Sequence, residues 1–389
     1  MIQRSITKKL LHLAGLFPVV SVTGPRQSGK TTLVKSTFPD YEYVTLEDPD
    51  TRMIALEDPR KFLQSHKRGI IIDEAQRAPE LFSYIQGIVD QSNKEGEFIL
   101  TGSQNFLLLE KISQSLAGRV AILKLLPFSI EELQHAKINI NDVDKLIFDG
   151  LYPRLYDKKI SPVDFYPFYI QTYVERDVKL IKNISSQTTF IKFIKMCAGR
   201  VGQLLNVSEL ANACGITQIT VNSWLSILQA SYVVYLLQPH HKNFNKRLVK
   251  MPKLYFYDTG LACSLLGIKE PKQLQLHFIF GSLFENFIIN EMIKNSFNKG
   301  AVPEYYFWRD KTGKEIDVIA EKNSKLIPIE IKAGKTFTAE FFKNLNYWNK
   351  ISGNSPANTY LIYGGDNSFE TDKGKVISWK DLGQVLNDF

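Results

Sequence analysis

Cysteine is scarce. The 389-residue chain has three, Cys197, Cys214 and Cys263, far apart and without any C-x-x-C pair. That excludes a thiolate zinc site and a disulfide framework, and it predicts a reducing, cytoplasmic setting. Long apolar runs are missing as well. None reaches the roughly 20 residues that cross a bilayer, so no membrane role is expected. The N-terminus imitates a secretory leader, with Arg4, Lys8 and Lys9 ahead of the apolar residues 10–17. Cleavage there would cost the chain the strand that follows, so an amphipathic helix beside that strand is the expectation.

What is present is a core-forming composition. Hydrophobic residues make up 44%, which excludes a disordered chain. The formal net charge of +8 is compatible with a nucleic-acid partner without demonstrating one. The length suggests two or three domains, and the motifs below divide it at 1–160, 161–265 and 266–389.

An apolar β-branched run, Val19-Val20-Ser21-Val22-Thr23, leads into Gly24-Pro25-Arg26-Gln27-Ser28-Gly29-Lys30-Thr31. This is a complete G-x-x-x-x-G-K-[ST] phosphate loop, with Thr32 opening a helix. Glycines let the backbone wrap a polyphosphate so that successive N–H groups face its oxygens. Lys30 reaches the β- and γ-phosphates, and the Thr31 hydroxyl suits Mg²⁺. The expected ligands are ATP or GTP with Mg²⁺.

Strands expected over 43–46, 69–72, 97–101 and 121–125 alternate with helices over 81–89 and 104–113. Such alternation predicts a parallel sheet covered on both faces. The second strand ends in Asp73-Glu74, at the carboxyl edge where ligands bind. Asp73 is the expected Mg²⁺ partner of Thr31, and Glu74 the residue that orients and polarises the attacking water. After Leu100-Thr101-Gly102, Ser103 and Gln104 are candidates to sense the γ-phosphate, or simply a capped turn. Arg119 is a candidate arginine finger, in cis or, from a second copy, in trans; a surface ion pair is the alternative.

These segments resemble the AAA-like ATPases of archaea and bacteria that carry a C-terminal domain of unknown function. The likeness rests on the phosphate loop, Ile71-Ile72-Asp73-Glu74-Ala75-Gln76, Leu100-Thr101-Gly102-Ser103-Gln104 and Leu116-Ala117-Gly118-Arg119. It extends through Leu125-Leu126-Pro127-Phe128-Ser129, Gly150-Leu151-Tyr152-Pro153 and Tyr173-Val174-Glu175-Arg176-Asp177-Val178. The resemblance implies a five-stranded core of the type with a separate catalytic glutamate.

In the middle, residues 206–217 read as a capped helix ending at Gly215, followed by a helix over 218–229 with Val221, Trp224, Leu225 and Leu228 on one face. That spacing fits a helix-turn-helix, and β-rich segments at 232–237 and 254–257 would make it a winged helix. The intervening loop holds Lys242, Lys246, Arg247, Lys250 and Lys253 and no acid. A basic wing can neutralise DNA phosphates. The exposed candidates Gln218, Thr220 and Asn222 are uncharged, which leaves a plain interdomain role open.

The last third predicts a helix carrying Glu285, a hairpin around residues 311–314, and strands carrying Asp317 and then Glu330 and Lys332. Residues two apart on a strand share a face. Asp317 and Glu330, with Glu285, would hold a divalent cation while Lys332 steadies the nucleophile. The pattern resembles restriction-endonuclease-like domains, Asp followed by Glu-x-Lys, although Glu315-Ile316 precedes Asp317 where proline is usual. A charge pair within a domain that only binds a partner is the alternative. The overall expectation is an α/β chain: a P-loop parallel sheet, a winged-helix-like module and a restriction-endonuclease-like α/β domain.

Overall fold

The computed structural model describes residues 2–64, 66, 68–92, 94–102, 115–173, 186–241 and 248–388. Ser103 and Gln104, residues 174–178, and Lys242, Lys246 and Arg247 of the basic loop lie outside the described residues.

The first layer is a parallel sheet of β1 (Val19–Thr23), β2 (Glu42–Thr45), β3 (Ile70–Asp73), β4 (Phe98–Gly102) and β5 (Val120–Lys124), in the order β2-β3-β4-β1-β5. Its central strands are continuous apolar runs because helices cover both faces. Alternate side chains feed two cores. Val20, Val22, Ile71 and Ile99 meet α1 (Thr7–Ala14) and α2 (Lys30–Thr37) on one face. Val19, Ile70, Ile72 and Leu100 meet α5 (Leu81–Ser92) on the other, beyond α3 (Pro49–Glu57) and α4 (Pro59–Gln64). The predicted amphipathic helix is α1, whose Leu10 and Ala14 are buried. One strand separates β1 from β3. The loops after them therefore lie roughly 10 Å apart at the carboxyl edge.

The second layer comprises α6 (Ile130–His135), α7 (Val143–Asp149), α8 (Pro153–Asp157), α9 (Pro162–Tyr173), α10 (Gln187–Ala198), α11 (Val207–Cys214) and α12 (Gln218–Ala230). It ends in the antiparallel pair β6 (Val234–Leu237) and β7 (Lys253–Phe256), then α13 (Thr259–Leu265) and α14 (Pro271–Leu276). Trp224 of α12 packs edge-on against Phe190 and Phe193 of α10, which fixes the three-helix corner. Residues from Leu126 onward, expected with the first domain, pack into the core of this layer.

A buried carboxylate organises the entry to α8. Asp258 accepts hydrogen bonds from Leu151 N (2.9 Å), Leu261 N (2.9 Å) and the Tyr166 hydroxyl (2.6 Å). Gly150 sits beneath it at φ +69°, and a Cβ there would lie 1.9 Å from the Tyr166 hydroxyl. The Gly150-Leu151-Tyr152-Pro153 motif is thus a turn pinned from below.

The third layer is a mixed sheet in the order β12-β13-β11-β10-β9-β8. Its strands are β8 (Tyr305–Arg309), β9 (Glu315–Lys322), β10 (Lys325–Lys332), β11 (Tyr360–Tyr363), β12 (Phe369–Thr371) and β13 (Gly374–Ser378). The 19-residue α15 (Phe280–Asn298) covers one face through Phe284, Phe287 and Ile288. On the other, α16 (Lys343–Ser352) packs Leu345 and Trp348 against Trp308 and Leu361; α17 (Leu382–Val385) closes the chain.

The second layer extends this sheet. His240 N donates to Phe307 O (2.7 Å), Phe307 N to Gln238 O (3.1 Å), and Val249 N to Arg309 O (3.0 Å). The backbone on both sides of the basic loop is therefore bonded to the edge strand β8. Among the described residues no helix is long and apolar enough to cross a membrane.

Candidate functional site

The phosphate loop is held from both sides. Gly24 has φ +150°, and a Cβ would lie 2.1 Å from Leu125 O, so only glycine passes beneath β5. The Lys30 ammonium curls back onto Gly24 O (3.0 Å) and Pro25 O (2.8 Å), buried within the loop it would leave to meet phosphate oxygens. The Ser28 hydroxyl is buried with no partner among the described residues, a spare donor inside the loop. Arg26, Gln27, Gly29, Lys30, Thr31 and Thr32 line one wall of a cavity of about 1070 Å³.

Asp73 leaves β3 facing that wall. Its Oδ2 accepts from the Thr31 hydroxyl (3.0 Å) and the Tyr43 hydroxyl (2.9 Å), and Oδ1 accepts from the Thr101 hydroxyl. Burial first, then the Asp73 charge, pushes the Tyr43 hydroxyl up to about 12, so it stays a donor. Thr31 and Asp73 thus bring hard oxygen donors together at the cavity wall, a set that fits Mg²⁺. Glu74 follows in the left-handed region at φ 53°, rare for a residue with a side chain and worth about 1–3 kcal/mol of strain. Its Oε2 accepts from Gln76 Nε2 at 2.5 Å, and the residue lines the same cavity.

Two features of this site carried no periodic signal in the sequence. Arg4, read as part of a leader-like basic cluster, is buried and clamps the loop. It donates to Ser28 O (2.7 Å) and Leu126 O (2.6 Å), and pairs with Glu132 (3.1 Å). The opposite wall comes from the second layer, through Pro153, Arg154, Asp157 and Lys158.

Arg119 is a correction. It precedes β5 at the edge of the sheet opposite the loop, its carbonyl accepting from Val19 N. The length of a five-residue strand, about 16 Å, separates it from the phosphates. Its guanidinium forks onto Asp90, at 2.5 and 2.9 Å. A role in cis is not available to it, and the ion-pair alternative is what the chain forms.

The C-terminal candidates do converge, with lysines among them. Lys332 Nζ stands 2.7 Å from Glu330 Oε1 and 3.6 Å from Asp317 Oδ2. Asp317 Oδ2 also accepts from Ile331 N (2.8 Å), and Glu330 Oε1 from Asn344 Nδ2 (3.2 Å); Glu330 Oε2 is buried without a partner among the described residues. Burial, then Asp317, raises the Glu330 carboxyl to about 8 against the opposing pull of Lys332.

Glu285 is the second correction. Its Oε1 is taken by Lys253 Nζ (3.0 Å) and the Tyr255 hydroxyl (2.5 Å), both from β7. Lys253 also pairs with Glu315 at 2.5 Å. Burial raises the Glu285 carboxyl to about 7. Among the described residues no three carboxylate, imidazole or thiolate groups gather as one metal site. A cation held by Asp317, Glu330 and Glu285 together does not fit this arrangement, because β7 delivers an ammonium onto Glu285 instead.

Comparison with known proteins bears on these sites. Residues 16–134 match the family described as an AAA domain, and residues 140–272 and 280–382 match two domains of unknown function, DUF8612 and DUF4143. The chain is 31% identical over 334 residues to the uncharacterized protein Rv2008c of Mycobacterium tuberculosis, spanning 85% of this chain and 73% of that one. An uncharacterized protein of Haemophilus influenzae is 20% identical over 344 residues, 80% of this chain and 81% of its own. Among solved structures, the Walker-type ATPase PABY2304 of Pyrococcus abyssi aligns with 68% of this chain and 96% of its own length, at a TM-score of 0.47 and 12% identity.

Proposed function

Because this chain belongs to the family of the mycobacterial protein Rv2008c and begins with an AAA-type P-loop ATPase domain, we propose that it is a Mg²⁺-dependent ATPase serving a DNA-contacting, nuclease-like C-terminal region. The observation that carries the hydrolase reading is the contact between Thr31, next to Lys30 in the loop, and Asp73 at the end of β3.

Lys30 and the loop amides bind the triphosphate, and the Ser28 hydroxyl adds a donor. Thr31 and Asp73 would hold Mg²⁺, which when bound neutralises charge on the phosphate oxygens. Glu74 orients the attacking water and takes its proton as the γ-phosphoryl group departs. Ser103 or Gln104, after β4, would contact the γ-phosphate. Arg119 would act only in trans, from a second copy.

The order of α10, α11, α12 and the β6–β7 pair supports a winged-helix reading, with Gln218 and Asn222 exposed on α12 and Lys250 exposed beside the basic loop. Lys242, Lys246, Arg247 and Lys250 would meet nucleic-acid phosphates. Asp317 and Glu330 would hold a divalent cation and Lys332 would steady the attacking water, with the unpaired Glu330 Oε2 the observation in favour.

A second reading, a nucleotide-dependent switch that cuts nothing, is favoured by Lys253 occupying Glu285. One experiment separates them. Wild type, Lys30→Ala and Asp317→Ala are incubated with single- and double-stranded DNA and RNA, with and without ATP, in Mg²⁺ or Mn²⁺. Cleavage lost in Asp317→Ala supports the nuclease; ATP-dependent binding without cleavage supports the switch. ATP turnover unchanged in Lys30→Ala would sink the hydrolase reading.

A further inference from the structure

Positive charge in this chain is concentrated in one stretch. Residues 187–256, from the start of α10 to the end of β7, hold eight lysines and arginines and one acid, Glu209. That is +7 of the chain's net +8 in under a fifth of its length. The single acid is itself paired with Arg200 at 3.0 Å. Amid this charge, α12 carries none at all. We propose that the outer face of α12 enters the major groove of duplex DNA and reads A·T pairs, Gln218 and Asn222 bonding adenine and Ile219 meeting the thymine methyl; the proposal rests on the DNA-contact reading above.

The helix repeat makes the face. At about 100° per residue, Gln218, Ile219, Asn222, Ser223 and Ser226 fall within an arc of about 140°, and all five are exposed. Val221, Trp224, Leu225, Ile227 and Leu228 occupy the other side and are buried. Gln218 and Asn222 stand one turn apart, about 6 Å between their β-carbons. Their side-chain amides make no hydrogen bond among the described residues. Ile219 beside them is 82% exposed. A lone exposed isoleucine means little; flanked by two carboxamides it completes a set.

The set has a chemical meaning in the major groove. Adenine presents N7 and its N6 amino group, which asparagine or glutamine pairs with two bonds; thymine presents a methyl group. Guanine is read chiefly by arginine or lysine, and cytosine by a carboxylate. α12 has the first two kinds of reader and neither of the others.

The surrounding charge supplies what the face lacks. Phosphate contacts position a protein on DNA, and base contacts specify the sequence. Lys192 and Lys195 are exposed on α10, and Lys250 is exposed ahead of β7. A protein partner would suit Ile219 but leave this concentration of positive charge without a role.

The test uses the full chain, with and without ATP and Mg²⁺. Selection from a library of randomised duplexes is followed by fluorescence-anisotropy titration of A·T-rich and G·C-rich duplexes of equal length. Melting curves confirm that each variant folds. Wild type should bind the A·T-rich duplex at least about tenfold tighter, the worth of one two-bond contact. Gln218→Ala combined with Asn222→Ala should bring that ratio close to one, and Asn222→Arg should turn the preference toward guanine. Replacing adenine by 7-deaza-adenine removes the major-groove N7; it should weaken wild type and leave the double variant unmoved. Replacing thymine by uracil removes one methyl group and should cost wild type about fourfold, and Ile219→Ala nothing. If duplexes bind without regard to sequence, or if the A·T preference survives in the double variant, α12 does not read bases and the DNA-contact reading stands. If no duplex binds at low salt in either nucleotide state, that reading fails and takes this proposal with it.

Discussion

The hydroxyl of Tyr232 lies 2.9 Å from Thr23 Oγ1, the last side chain before the phosphate loop. Tyr232 follows α12 and holds a left-handed backbone at φ 57°. An aromatic residue in that conformation persists only where its surroundings over-determine it. The strand that presents the loop and the turn that follows α12 are thus in direct contact. Tyr232→Phe removes one buried hydrogen bond and should cost about 1 kcal/mol of stability, read as a lower midpoint of denaturant unfolding with unchanged slope. A loss confined to the second layer would show that the contact carries nothing across.

Glu74→Gln should lower the ATP turnover number by about 10²–10⁴-fold, the worth of a general base. Binding of ATP should survive, since Lys30 and the loop amides that hold the phosphates remain in place. Lys30→Ala should lose both. Single-turnover hydrolysis alongside equilibrium binding distinguishes the two outcomes, and normal turnover in Glu74→Gln would move the base elsewhere.

Arg4→Ala should be among the most damaging changes outside the nucleotide site. It strips the cationic partner from Glu132, which is only 1% exposed and keeps just the Ser5 and Ser129 amides, and uncovers the carbonyls of Ser28 and Leu126. Breaking a buried pair from one side costs about 3–5 kcal/mol. Arg4→Lys should not rescue it, because one ammonium nitrogen cannot span acceptors that Arg4 reaches with three separate nitrogens. Thermal unfolding of both variants checks this, and a melting shift near zero would reduce Arg4 to a surface charge.

Protonation should stabilise the C-terminal cluster. The folded Glu330 carboxyl titrates near 8 against an ordinary 4.5, so the folded chain keeps a proton that the unfolded chain has lost. Stability from this group is full below the unfolded value and disappears as pH rises through 8. Glu285, raised to about 7, adds in the same direction. The melting temperature should therefore fall across that window, and Glu330→Gln should flatten the slope. Divalent cations, which need the ionised acid, should bind more tightly at the alkaline end. A wild-type slope unchanged in Glu330→Gln would assign the proton elsewhere.

Arg119→Ala should leave ATP turnover within about twofold at concentrations where the chain is monomeric, since exposed ion pairs contribute little. A collapse of turnover that appears only as concentration rises would identify the trans role.

The nucleotide site was largely legible because its chemistry is local: a loop of eight consecutive residues, and an acid pair at the end of one apolar strand. Thr31 and Asp73 meet because β-strand alternation and sheet order follow from those runs. Arg4 was illegible since its partners, Ser28, Leu126 and Glu132, are 24 to 128 positions away. Arg119 was misplaced because a motif shows that an arginine exists and not which end of a strand it occupies. Glu285 was assigned the right neighbourhood, near Asp317, but the wrong partner. Nothing in the sequence of α15 announces that Lys253, thirty-two residues earlier, arrives on it.

The backbone bonds from Gln238, His240 and Val249 to β8 have a consequence for how the chain can be divided. The hydrophobic core that begins at Leu126 runs on to Leu386 without a break between the second and third layers. A cut near residue 265 would leave β8 as a bare edge beside newly exposed core, a template for edge-to-edge aggregation. Heating should accordingly melt the protein as two cooperative blocks, the nucleotide sheet and everything after it, and a protease should find its clean boundary near residue 125.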